Sequence, residues 1–135
     1  MFDNNLSPHI ASAVKALSEA PFPQIEIIHK RDRFPANTPD ELWIKTLTQE
    51  KRGACVLTTD RLDKGMEAEM ISRGGLIVLH FDKSWSNHNY WEKAHNLVRW
   101  WPRIVEFALG TRGPAAFRIP WNFRGKGTFE AVRRR

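Results

Sequence analysis

Ala54-Cys55-Val56-Leu57-Thr58-Thr59-Asp60 is the stretch on which the reading of the fold turns. Its four leading apolar residues are too few for a helix and do not alternate with polar ones. They therefore read as a strand covered on both faces, with the threonines and the acid marking its exit. Ile25 to Ile28 and Leu76 to Phe81 are runs of the same kind on either side, and Met1-Phe2 before Asp3 is a fourth, very short one. Continuous apolar strands belong to a parallel sheet with helices on both faces.

Helical patterns fill the gaps between these runs. Ser7-Pro8 supplies an N-cap followed by proline at the first helical position, and Ile10, Val14 and Leu17 recur at helical spacing behind it. Thr38-Pro39-Asp40-Glu41 repeats the device and adds a capping box, with Leu42, Ile44 and Leu47 as the apolar side. A shorter helix is expected from about Gly65 to Arg73, ended by Gly74-Gly75. The longest begins near Asn87 and runs to Leu109 before Gly110, unless Pro102 divides it into two helices meeting at Trp101-Pro102. Phe117 to Pro120 adds a final edge strand. The expected architecture is an α/β three-layer sandwich over residues 1–120, with a mostly parallel central sheet of four to five strands, followed by a basic tail over 121–135.

With 135 residues the chain has the size of one domain, and its 41% apolar content excludes intrinsic disorder. No apolar stretch approaches the roughly 20 residues a membrane helix needs. Met1 to Pro8 lacks the basic start and apolar centre of a secretory signal, so a soluble, cytoplasmic protein with no membrane partner is expected. The one cysteine, Cys55, lies inside an apolar run and reads as a small buried hydrophobe. The net charge of +6 is uneven: residues 96–135 carry 9 Lys and Arg against 2 Asp and Glu, whereas residues 1–95 are nearly balanced. A basic end of this kind suits a polyanion, and it also suits a merely solvated tail.

In an open parallel sheet, ligands bind outside the carboxyl ends of the strands. Asp3 follows the first short run, Asp60 follows the third, and Asp40 opens the helix after the second. Two carboxylates about 4 Å apart repel by roughly 4 kcal/mol at an effective dielectric of 20, a cost that a divalent cation turns into binding. Oxygen ligands alone suit Mg²⁺ or Mn²⁺, which can activate water for phosphodiester hydrolysis. Each acid also has a structural reading: Asp40 favours the helix dipole, Glu41 closes a capping box and Asp60 caps a helix. Asp63, one helical turn from Asp60, is a candidate fourth acid.

Asp3-Asn4-Asn5-Leu6-Ser7-Pro8, Thr38-Pro39-Asp40-Glu41 with Trp43-Ile44, and Val56-Leu57-Thr58-Thr59-Asp60 together resemble the PIN-like proteins related to VapC-type toxins. The similarity extends through Trp85-Ser86-Asn87 and Trp101-Pro102, roughly residues 2–120. The resemblance implies a PIN-like fold and a metal-dependent ribonuclease centre, often in the toxin half of a toxin–antitoxin pair. Matched position by position, Asp3, Asp40 and Asp60 take the metal-ligand roles. Glu41 competes with Asp40, and the counterpart of a further acid is open between Asp63 and none.

Around this centre, Lys30, Arg31 and Arg33, with Arg61 and Lys64 beside Asp60, are candidate grips for RNA phosphates or ordinary loop charges. His29 and His80 end strands at the same edge without metal-ligand spacing, so histidine-bound zinc is not expected. On the long helix, Trp91, Ala94, Leu97, Val98, Trp101, Val105 and Ala108 form the expected buried stripe, while Trp100, Arg103 and Phe107 fall away from it. The second face is expected to meet an identical subunit in a homodimer or an antitoxin protein, unless the segment from Phe117 to Trp121 folds back over it. The functional expectation is a metal-dependent endoribonuclease toxin. The alternatives are a catalytically silent PIN-like module binding RNA or protein, and, far behind, a phosphoacceptor receiver domain that lacks its lysine.

Overall fold

The computed structural model describes residues 1–50, 54–59 and 65–132. Helix α1, Pro8–Ser18, starts where Ser7 accepts hydrogen bonds from the amides of His9 and Ile10. Helix α2, Asp40–Gln49, starts without the expected capping box. The Thr38 hydroxyl instead donates to the Pro35 carbonyl at 2.7 Å, so Pro39 takes the N-cap position and Glu41 stays exposed. Helix α3, Gly65–Gly74, matches its expected span closely. Helix α4, Tyr90–Gly110, is capped reciprocally by Asn89 and Glu92 and passes unbroken through Pro102. Pro102 is exposed, which puts the lost backbone bond on the solvent side.

Strands β1 (Cys55–Thr58), β2 (Ile77–Phe81) and β3 (Ala115–Ile119) pair in parallel in that order, and β4 (Glu130–Ala131) closes the edge antiparallel to β3. The register places Leu57 beside Leu79 and Leu79 beside Phe117. On the other side of β1, Phe2 forms parallel bridges to both Leu57 and His29. The spatial order is thus residues 25–29, then 1–3, then β1 to β4. Two expected strands shrink to these bridges, because a three-residue segment offers Ile25 to Ile28 only one point of pairing. The stretch expected at the edge, Phe117 to Pro120, lies mostly within β3, an internal strand flanked by β2 and β4.

Side chains alternate across the strands and divide the core into two layers. Val56 and Val78 pack with Trp43, Ile44, Leu47 and Ile71 from α2 and α3. Leu57, Ile77, Leu79 and Phe81 pack on the opposite face with Val14 of α1 and Leu97, Trp101, Ile104 and Val105 of α4. The result is the mixed α/β, mostly parallel sandwich expected of the sequence.

The buried face of α4 differs from the projected stripe. Trp91 is 78% exposed and Val98 41%, whereas Trp100 is fully buried. The chain covers α4 on two sides, with the sheet against Leu97 and Trp101 and residues 123–129 against Trp100. Phe123 and Phe129 lie against the Trp100 ring, and the Arg103 guanidinium donates to the Gly127 carbonyl at 2.8 Å and lies over Phe107 and Phe129. Gly127 has a positive φ of 94°, and a Cβ there would meet Arg103 and Phe123 at 2.9 Å. Trp100, Arg103 and Phe107 therefore are not an open face awaiting a partner. Part of the basic excess is internal as well: Arg118 pairs with Glu130, and Arg99 lies over Phe123. Among the described residues, no helix is long and apolar enough to cross a membrane.

Candidate functional site

The order of chain segments in the sheet reverses direction between residues 1–3 and β1. In a doubly wound sheet the crevice lies at such a switch, outside the carboxyl ends of the strands. Asp3 sits there, held by backbone bonds on both sides: its amide donates to the Leu57 carbonyl at 2.9 Å, and the Lys30 amide donates to the Phe2 carbonyl at 2.7 Å.

The Asp3 side chain is buried and bonded at both oxygens. Oδ1 accepts from the Asn4 amide at 2.7 Å, and Oδ2 accepts from the Thr58 hydroxyl at 2.7 Å. Lys30, only 5% exposed, brings its ammonium to 3.5 Å from Asp3 Oδ1 and 3.7 Å from Asp40 Oδ1. Trp43 fixes the arrangement from below: its indole N–H donates to Asp40 Oδ1 at 2.8 Å, and its ring lies under the Lys30 ammonium at 4.8 Å. The Asp40 side chain remains 42% exposed, which makes it the solvent-facing member. Two carboxylates from different elements thus converge on one positive charge. That arrangement relieves the repulsion that would otherwise accompany their burial.

Of the acids expected at this edge, Asp3 and Asp40 each lie within 4 Å of the Lys30 ammonium. Lys30 is not a surface grip for phosphate, because its amine is the buried link between them. Arg33 is also committed, with both terminal guanidinium nitrogens on Glu50 at the far end of α2 from Asp40. Arg31 is exposed. Glu41 is exposed on α2 and does not join the group. Asp60, Arg61, Asp63 and Lys64 lie outside the described residues. His29 is structural: its Nε2 bonds the Leu6 carbonyl at 2.8 Å and its Nδ1 accepts from the Arg31 amide. Burial pushes the Cys55 thiol up to about 11, which keeps it protonated and unreactive at neutral pH.

Three residues that matter here were given no site role from the sequence. Thr58 and Trp43 orient the two acids. Asp82 follows β2 at the same edge, where it accepts from the Ser84 amide and hydroxyl and lies 3.8 Å from Arg118. The rule that located Asp60, an acid at the exit of an apolar run, applies equally to Asp82 after Leu76 to Phe81.

A magnesium or manganese ion can be judged against these groups. Hard oxygen donors are present, and two of them already share one cationic point. Among the described residues, however, there is no group of three or more His, Cys, Asp or Glu side chains placed to hold a metal. The fit is that of a two-carboxylate half site, with the third acid of the expected set, Asp60, beyond what is described.

A family model described as PIN like domain matches residues 1–83, more than half of the 135-residue chain. No curated protein and no solved structure matches it. The matched span contains Asp3, Lys30, Asp40 and Thr58 together with β1 and β2, and the chain belongs to the PIN-like domain family.

Proposed function

We propose that this chain is a metal-dependent endoribonuclease whose centre lies at the carboxyl edge of the sheet, with Asp3, Asp40 and Asp60 as ligands for Mg²⁺ or Mn²⁺. PIN-like domains are often nucleases, and the observation that carries the reading here is the convergence of Asp3 and Asp40 on a single positive charge. The ion, when bound, supplies a Lewis acid that activates water and stabilises the departing oxygen. The protein's own part is positional. Thr58 and the Asn4 amide fix the Asp3 carboxylate, and Trp43 fixes that of Asp40. Asp40 faces solvent, so substrate would approach from its side. By the family resemblance the enzyme would act as the toxin of a toxin–antitoxin pair, in the cytoplasm, with an antitoxin protein as partner.

A second reading draws on the same site. Lys30 already supplies the cation that the two carboxylates require, as it would in a catalytically silent module that keeps the fold and binds RNA or protein. Cleavage of single-stranded RNA with Mn²⁺ decides between them. The nuclease reading expects activity that falls at least 100-fold in Asp3→Asn and in Asp60→Asn. RNA binding with no metal-dependent cleavage favours the silent module, and cleavage that survives both substitutions removes Asp3 and Asp60 from the catalytic centre.

A further inference from the structure

Beside the Asp3 centre lies a second feature that the acids do not explain. A cleft of about 510 Å³ opens between α1 and the start of α4, within the range of sites that hold small ligands. Phe81, Trp85 and Leu97 line it with apolar surface, and Lys83, Tyr90 and Lys93 also line it. Phe2 and Thr59, the chain neighbours of Asp3 and Thr58, are part of its wall, and the Thr59 backbone amide donates a hydrogen bond to Asn5 Oδ1 at 3.3 Å. The cleft therefore opens at the same strand ends as the acidic centre, on the face of the sheet that α1 and α4 cover.

Its charges favour an anion. Asp82, the acid in the lining, is answered by Arg118 and by two bonds from Ser84. The nearby Glu92 is engaged by the Asn89 amide and by His88. Among the described residues of the lining, Lys83 and Lys93 have no matching acid and leave a positive surplus. Tyr90 is 45% exposed, and its ring meets that of the exposed Trp91 edge to face at 5.4 Å, so aromatic surface continues out of the cleft. An apolar floor, an exposed ring and two rim ammonium groups match a planar base linked to phosphates. Unpaired nucleotides are bound by such stacking with basic groups along the backbone.

We propose that this cleft holds one unpaired nucleotide of single-stranded RNA, its base against Tyr90 and its flanking phosphates on Lys83 and Lys93, next to the Asp3 centre. This deepens the nuclease reading and rests on it for the role of the bound strand.

The test is fluorescence anisotropy with a labelled, unstructured 12-nucleotide RNA and the full chain in EDTA, where cleavage is silent. Wild type binds. The double variant Lys83→Gln with Lys93→Gln binds at least 10-fold more weakly, and its slope of log affinity against log salt is smaller by about 1.4. Tyr90→Ala weakens binding at least 5-fold, whereas Tyr90→Phe retains it, in line with stacking. Lys45→Gln, on the exposed side of α2, binds as wild type does. Unchanged affinity in both the double variant and Tyr90→Ala overturns the proposal, as does a wild type that binds no RNA. A change in sedimentation with unchanged RNA affinity overturns it in favour of a protein partner. The Mn²⁺ cleavage assay on the same preparations separates the two readings. Cleavage with no loss of RNA affinity in the variants removes the nucleotide cleft alone, and binding through the cleft without any cleavage removes the nuclease alone.

Discussion

Lys30 carries most of the electrostatic argument, since its ammonium is buried and lies between a buried carboxylate and a half-exposed one. Removing one partner of a buried ion pair leaves the others uncompensated, at a cost of about 3–5 kcal/mol. Lys30→Met is expected near the lower end, about 3 kcal/mol in urea denaturation, because Asp40 keeps water. Mn²⁺ should recover part of that loss, and should stabilise Lys30→Met more than wild type, since the ammonium no longer opposes the ion. Equal stability of Lys30→Met and wild type would show that the pair contributes nothing. That Asp3 and Asp40 lie toward one edge of the sheet follows from their positions after a strand and at a helix start. The part played by Lys30 was not legible in the sequence, because its partners lie 27 and 10 positions away and the pairing exists only once the sheet has formed.

At the scale of elements, starts and stops were legible where local chemistry is unambiguous, as at Ser7-Pro8 and Gly74-Gly75. Thr38 shows the limit. Its hydroxyl has a turn carbonyl within reach as well as a helix to cap, and the bond to Pro35 prevails. Helix α4 shows another: projection finds one apolar stripe, but a helix covered from two sides buries a second set of residues. Trp100 is the test of that second layer. Its indole N–H is buried with no hydrogen-bond partner among the described residues. Trp100→Phe removes this unsatisfied donor and is expected to stay within about 1 kcal/mol of wild type, whereas Trp100→Ala should cost about 3–5 kcal/mol. Trp100→Glu should lose folding with no folded monomer appearing. A soluble, stable Trp100→Glu monomer obtained from an oligomeric wild type would restore the interface expected from the sequence.

For the whole molecule, the continuous apolar runs announced a parallel sheet, and the observed order places the switch in strand order at Asp3 and β1. The sequence could not show that the first two segments would contribute only isolated bridges, since their length and not their hydrophobicity limits pairing. Nor could charge counts show that Arg99, Arg103 and Arg118 serve the C-terminal segment. What remains central is that this architecture brings two remote acids, Asp3 and Asp40, to one ammonium, where the proposed Mn²⁺ site would lie. Thermal unfolding of wild type, Asp3→Asn and Asp40→Asn across a Mn²⁺ titration tests it most directly. At Mn²⁺ a hundred times the dissociation constant, a ligand of the native state alone adds about 2.7 kcal/mol, so wild type should melt roughly 8–12 °C higher. Both variants should lose most of that gain. A wild type that Mn²⁺ leaves unmoved, or an equal rise in all three proteins, would contradict the shared site.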